Sequence, residues 1–365
     1  MVSIQCHAGT GSDDIWEYCP SFAAAILFAV LFGITSSAHV IQAFIYRKPF
    51  AAVLIMGALW EFGGYVARIL SIKSELSSGV FTAQLLLILL APLWINAYVY
   101  MLLGRMIHIF LKSDRVYGIK ARLITRIFVI FDIVAFLIQA TGGMLTGPGV
   151  SVKLQKIGLN VYTGGVGAQL LFLAIFVALA VGFQRRLNKQ QRTAYHATCP
   201  DQITVCHSSP YGSATLALES QDPSPAASRT SLEFHSPEPT PDDSLAKPVI
   251  RTMYAVLFLI IARNVYRLAE FASGAHSPTV THEWYAYIFD AVPMFVALVV
   301  LNIFYPGKAL QGPRCDFSEQ DNQRKQSKKD RKALKKAEKK HEGRGRSEAK
   351  KMGLTKDNSG YEPMR

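Results

Sequence analysis

Residues 249–273 read VIRTMYAVLFLIIARNVYRLAEFAS. At about 1.5 Å per residue a helix of this length crosses a hydrocarbon layer of about 30 Å. The stretch is apolar almost throughout, yet Arg263, Arg267 and Glu270 stand inside it at i, i+4 and i+7, with Tyr266 beside them. That spacing places the three charges on one helical face. A charge at the centre of a bilayer costs at least about 2.5 kcal/mol, so such a face needs polar partners or a ligand inside a bundle. The partners are to be sought in neighbouring spans.

Six more segments meet the same length requirement: residues 21–45, 50–70, 80–103, 123–146, 158–183 and 283–305. The chain of 365 residues is 50% hydrophobic and 18% charged, against about a quarter charged in a soluble domain. A soluble globular enzyme, a disordered chain and a disulfide scaffold are thereby excluded. Five cysteines match no common metal spacing. The fold class is all-α, a polytopic membrane protein of seven transmembrane helices. The first span is not a cleaved signal peptide, because residues 1–20 have no basic n-region and carry Asp13, Asp14 and Glu17.

A net charge of +13 would suggest nucleic acid in a soluble protein. Here it follows one side of a membrane. Arg47 and Lys48 follow the first span, Arg105, Lys112, Arg115, Lys120, Arg122 and Arg126 fill the third connection, and Arg185, Arg186, Lys189 and Arg192 follow the fifth. The alternate connections hold little beyond Lys73, Lys153 and Lys156. The basic side is expected to be cytoplasmic, with the N-terminus outside and the C-terminus inside. The chain then divides into an extracellular segment 1–20, spans one to five within 21–183, a Ser/Pro-rich cytoplasmic loop 184–248, spans six and seven within 249–305, and a basic cytoplasmic tail 306–365.

The loop has few large apolar residues and is expected to be disordered. Its Ser209-Pro210, Ser224-Pro225, Ser236-Pro237 and Thr240-Pro241 pairs are candidates for proline-directed phosphorylation, or plain flexible linker. The tail carries Lys328-Lys329, Lys335-Lys336 and Lys339-Lys340. It is expected to lie on anionic inner-leaflet lipid, at about 1 kcal/mol per basic residue, or to be a solvated or trafficking segment.

The other spans carry polar residues too. Glu61, Tyr65 and Arg68 fall at i, i+4 and i+7 of the second, around Gly63-Gly64. Asp132 and Gln139 are on the fourth, and Tyr287 and Asp290 on the seventh. His39, Gln42, Pro92 and Asn96 complete the set, and His39 reads as a hydrogen-bonded core residue. Counting the rise per residue puts Glu61 about 16 Å deep, Asp132 at similar depth, and Arg267 and Asp290 about 10 Å from the outer surface. These charges are expected to gather around one cavity open to the outside and to bind cargo. Alternatively they are structural pairs fixing helix register, Glu61 with Arg267 or Asp290 with Arg263. Gly164, Gly165, Gly167 and Ala168 read as helix packing.

No P-loop, His-Glu-x-x-His, Gly-x-Ser-x-Gly or paired Cys-x-x-Cys is present. No cofactor, metal or catalytic residue is implied, nor is an enzyme. Asp114-Arg115-Val116-Tyr117 matches a G-protein-coupled receptor tetrad, but the seventh span ends Asn302-Ile303-Phe304-Tyr305-Pro306 without those receptors' motif.

Over roughly residues 18–307 the sequence resembles the fungal lipid-translocating exporters of the aminocholesterol-resistance type. The resemblance is carried by Tyr18-Cys19-Pro20-Ser21 with His39, Glu61-Phe62-Gly63-Gly64-Tyr65 with Arg68, and Ala91-Pro92-Leu93 with Ala97 and Tyr100. It continues through Asp132, Gln139, Gly142 and Gly143 to Arg263, Tyr266, Arg267, Glu270, Glu283-Trp284-Tyr285, Phe289-Asp290 and Tyr305-Pro306-Gly307. The long insertion between spans five and six departs from the shorter loop usual there. The resemblance implies a seven-span exporter of sphingoid long-chain bases or similar lipophiles, conferring tolerance to them. In that reading the plasma membrane is the expected location, and the partners are membrane lipids and amphipathic lipid cargo, not nucleic acid. Glu61, Asp132 and Asp290 would hold a cationic amine. Arg68 and Arg267 would bind a phosphate or tune the carboxylates. Tyr65, Gln139, Arg263 and Glu270 complete the candidate site. The alternative is a seven-span lipid sensor signalling through the loop and tail.

Overall fold

The computed structural model describes residues 20–47, 50–73, 78–111, 113–146, 150–198, 246–273, 282–309 and 318–351. The first helix, α1 (Phe22–Tyr46), starts where the Ser21 hydroxyl accepts the Ala24 N–H at 3.3 Å, satisfying one of the orphan donors of a helix start. It stops where Arg47 turns left-handed, φ 47°. It is followed by α2 (Ala51–Lys73), α3 (Ser78–Phe110), α4 (Ala121–Leu145), α5 (Val152–Thr198), α6 (Ala246–Ala272) and α7 (Glu283–Ile303). All seven are long and apolar enough to cross a membrane.

Each helix packs on the next, and α7 closes the ring onto α1 and α6. α3 also touches α5 and α6 across the ring. Its Ile95, Tyr98, Leu102, Leu103, Met106 and Ile107 are fully buried, so α3 is the axis of the core. Small residues set the closest approaches. A Cβ on Gly142 would lie 2.5 Å from the Tyr162 nitrogen, and one on Gly158 would lie 2.7 Å from the Gly142 oxygen, so α4 and α5 meet backbone to backbone. Of the fifth-span glycines expected to pack, Gly165 does, against Gln139 and the Ala135 carbonyl. A Cβ on Gly164 or Gly167 would have nothing within 4 Å among the described residues. On α2, Gly64 meets Ile88 of α3, while Gly63 has only a loose neighbour.

α3 and α4 are joined by a two-stranded hairpin, β1 (Arg115–Val116) and β2 (Ile119–Lys120). Its turn residues Tyr117 and Gly118 both have positive φ, 49° and 81°, which suits the right-handed twist of paired strands. The Asp114-Arg115-Val116-Tyr117 tetrad is thus half of a tight hairpin. Arg186 of α5 donates to the Arg115 carbonyl, and its guanidinium lies 5.6 Å from the Tyr117 ring centre.

Two differences from the sequence reading concern the fifth span and the tail. α5 does not end near Phe183 but runs on to Thr198. Residues 184–198, assigned above to a disordered loop, therefore continue the helix. Arg, Leu, Lys, Gln and Ala dominate RRLNKQQRTAYHA, and all are good helix formers. At the other end of the expected loop residues 246–248 already belong to α6, and what remains of it, residues 199–245, lies outside the described residues. The described part of the tail forms a helix of its own, α8 (Ser318–Lys351), with side chains 325–341 exposed.

Candidate functional site

Two local departures from regular helix build the polar centre. Pro92 sits inside α3 and has no N–H, so the Ile88 carbonyl loses its helical donor. The Arg263 guanidinium of α6 fills the gap, its Nη2 donating to Ile88 O at 3.4 Å. In α7, residues Tyr287–Ala291 form a single π-helical turn directly before Pro293. Turns of this kind re-aim side chains and collect at functional sites. Here the turn carries Asp290 inward, where it is buried.

Asp290 holds two guanidinium groups at once. Arg263 Nε lies 2.5 Å from Oδ1, and Arg267 Nη2 lies 2.5 Å from Oδ2. Arg267 also reaches Glu270 Oε2 at 3.0 Å, and the Tyr266 hydroxyl donates to Glu270 Oε1 at 3.1 Å. Two cations and two carboxylates thus balance within a few ångströms. Asp290 with Arg263 was one of the expected pairs. Glu61 with Arg267 is not formed, because Arg267 is taken up by Asp290 and Glu270.

Glu61 lies on the α2 face that packs against α3, between Gly57 and Gly64. It is 1% exposed. Its field comes from Arg263, Arg267 and Asp290, yet it makes no ion pair and its Oε1 has no hydrogen-bond partner among the described residues. A carboxyl group in that setting is tolerated only when neutral or opposite a cation.

One turn along α2, Tyr65 stacks between Phe28 and Phe32 of α1, with ring centres at 5.5 and 5.3 Å, and lies 6.2 Å from Tyr287. Arg68 leaves the Glu61 face and reaches α7. Its Nη2 is 2.7 Å from Glu283 Oε1, and its Nε donates to the Tyr287 hydroxyl at 3.2 Å. The other Glu283 oxygen accepts the Ser21 N–H at 2.6 Å. The start of α1, the end of α2 and the start of α7 are therefore latched together over an aromatic stack.

Asp132 stands apart from the arginines. Asn96 and Tyr100 of α3 donate to its Oδ2 at 3.1 and 2.9 Å, and its Oδ1 is buried without a partner among the described residues. Gln139 donates to Gln169 of α5 at 2.8 Å. Gln139, Tyr162, Gln169, Arg263, Asn264 and Arg267 line a cavity of about 10 Å³, enough for about one water. The expected single cavity open to the outside is not what these residues form. The ion pairs and the latch close the centre down. A wider groove of about 630 Å³ lies between α1 and α2, lined by Ile26, Val30, Gly33, Ile34, Phe62 and Ile69.

The structure thus gathers Arg263, Arg267, Glu270 and Asp290, sets Glu61 beside them, and places Arg68 and Asp132 in separate networks. Sequence reasoning missed Glu283 as the partner of Arg68, since an acid at a span boundary reads as solvated. It also missed Gln169 and Asn264, whose signal was their polarity inside apolar runs. Among the described residues no three His, Cys, Asp or Glu side chains are placed to hold a metal.

No solved structure matches the chain. The probable lipid transporter atnI of Emericella nidulans is 35% identical over 310 residues, covering 84% of this chain and 71% of its own. The sphingoid long-chain base transporter RSB1 of Saccharomyces cerevisiae is 27% identical, covering 84% of this chain and 78% of its own. Protoporphyrin uptake protein 1 of the same yeast is 24% identical, covering 79% and 91%. The profile of the RTA1 like protein family spans residues 54–313, from α2 to just past α7, and so takes in both the ion-paired centre and Glu61. By that match and by these relatives, the chain is a multi-pass membrane protein of the RTA1-like family.

Proposed function

We propose that this protein exports amphipathic lipids, with sphingoid long-chain bases as the cargo class, and so confers tolerance to toxic lipophiles. The observation that carries the reading is Glu61. Among the described residues Asp132 also lacks a counter-ion but accepts from Asn96 and Tyr100, whereas Glu61 makes no ion pair and sits beside a cluster whose own charges already cancel. A long-chain base brings a cationic amine and an apolar tail. The amine supplies the missing cation, and an unlike charge nearby stabilises it strongly where water is excluded. The tail matches the apolar groove between α1 and α2, to which Phe62, the neighbour of Glu61, contributes. The named activities of two relatives, lipid transport and sphingoid long-chain base transport, support the same cargo. None of the relatives named above is called a sensor or an enzyme.

In this reading the protein sits in the plasma membrane, N-terminus outside, with the basic ends of the helices and the lysine-rich α8 toward the anionic inner leaflet. The Arg68–Glu283–Ser21 latch then lies at the outer end, and the structure is closed to the outside. Release of cargo requires that latch to part. Tyr65, in the stack beneath it, separates Glu61 from the exit.

The test is flux by the purified protein. Vesicles containing it should move radiolabelled sphingosine across the bilayer faster than protein-free vesicles, and vesicles containing Glu61→Gln should match the protein-free rate. Equal rates with and without wild-type protein would refute the exporter reading.

A further inference from the structure

At the opposite end of the bundle from the latch, α5 and α6 enclose a second cleft that the transport reading does not use. Gln184, Asn188 and Gln191 of α5 face Lys247 and Arg251 of α6 across about 210 Å³. The α5 residues fall at i, i+4 and i+7, and the α6 residues four apart, so each set shares one helical face. Leu187 and Ile250, both buried, form an apolar floor. Among the described residues no carboxylate lines the cleft. None of the five polar side chains makes a hydrogen bond or ion pair among the described residues.

Position and chemistry select the occupant. Gln184-Arg185-Arg186 ends the apolar run of α5, Lys247 precedes that of α6 and Arg251 stands in its first turn, so the cleft lies where the hydrocarbon stops. Headgroup phosphates occupy that level. An ammonium, a guanidinium and three amides offer donors only a phosphate-sized anion can use together, and a guanidinium binds two of its oxygens at once. Basic pockets between spans at this side of a membrane are a known form of lipid headgroup recognition. The apolar floor suits the glycerol and first methylenes of a lipid rather than a free ion. The same end carries the hairpin, since Gln190 and Arg186 of α5 donate to Phe110 and Arg115. A headgroup bound there would couple α5 to α6, the two helices that the long insertion joins.

We propose that the α5–α6 cleft is a binding site for the phosphate headgroup of an anionic membrane lipid, distinct from the cargo site.

The test uses the full-length protein in a neutral detergent, titrated with dioleoyl phosphatidic acid and read by native mass spectrometry. One lipid should bind saturably and be held at least about tenfold more weakly by the Lys247→Gln/Arg251→Gln double variant. The charge-keeping Lys247→Arg/Arg251→Lys variant should bind as the wild type does. Neutralising Lys329 and Lys332 of α8 should leave this first site unchanged, which separates the cleft from diffuse attraction to the tail. Should the double variant not be recovered folded, Gln184→Leu with Gln191→Leu removes two donors while keeping both charges and should still weaken the first lipid. The proposal fails if the variants bind the first lipid as tightly as the wild type. It also fails if dioleoylglycerol, which lacks the phosphate, binds equally well, or if inorganic phosphate at equal concentration displaces the lipid. Both Lys247 and Arg251 are exposed, so their loss leaves sphingosine flux as a separate measurement, and a failed flux assay would not touch this result.

Discussion

Replacing Asp290 by Asn should destabilise the protein markedly, whereas replacing Glu61 by Gln should only silence it. The difference follows from their partners. Asp290 is 3% exposed, accepts from Arg267 and is ion-paired with Arg263, each contact at 2.5 Å. Without its charge, Arg267 keeps Glu270 at 3.0 Å, but Arg263 keeps only the Ile88 carbonyl at 3.4 Å. Stranding one buried partner of a pair costs about 3–5 kcal/mol. For a bundle of this size that lowers the unfolding temperature by on the order of 10 °C. Glu61 has no ion pair to lose, so Glu61→Gln should stay within about 1 kcal/mol of wild type. Tryptophan fluorescence during heating in detergent measures both, and sphingosine flux in vesicles measures the activity of Glu61→Gln. Adding Arg263→Gln to Asp290→Asn removes the stranded charge and should recover about 0.5–3 kcal/mol of the loss, the range found for residues in contact. Asp290→Asn melting at the wild-type temperature, or Glu61→Gln melting with the larger deficit, would falsify this division between a structural ion cluster and a free carboxylate.

Three other outcomes follow from the geometry. Gly142→Val, whose side chain would meet the Tyr162 nitrogen at 2.5 Å, should cost about 1–3 kcal/mol or more through overpacking, while Gly164→Ala, with open space around it, should melt as the wild type does. Glu283→Gln removes the carboxylate joining Arg68 to the start of α1; a cysteine introduced at Phe28, under the latch, should then react faster with a membrane-impermeant thiol reagent, and an unchanged rate would show that the latch is no gate. For orientation, a tag at residue 2 should be reached by antibody on intact cells and tags near Ser220 or after Arg365 should not, with equal access to both termini contradicting the proposed topology.

The spans were legible because hydrophobic length is a local property. A run that covers the bilayer shows itself without reference to any other residue, and all seven apolar segments recur as helices. Intramembrane charges were legible for the same reason, since Glu61, Asp132, Arg263, Arg267, Glu270 and Asp290 each stand where a charge is costly whatever its neighbours. The helical reach of α5 to Thr198 was hidden because polar residues there read as loop, although their propensities favour helix. Pairing belongs to the tertiary structure alone. Asp290 meets both arginines because a π-helical turn rotates it inward, and Arg263 is held at Ile88 because Pro92, on another helix, leaves that carbonyl free. Arg68 shares a helical face with Glu61 by spacing, yet its long side chain finds Glu283 at the start of α7. Which carboxylate is left over is fixed only when helices distant in sequence have chosen their rotation and depth. The charge of Glu61 was therefore visible in the chain, and its lack of a partner became visible only in the bundle.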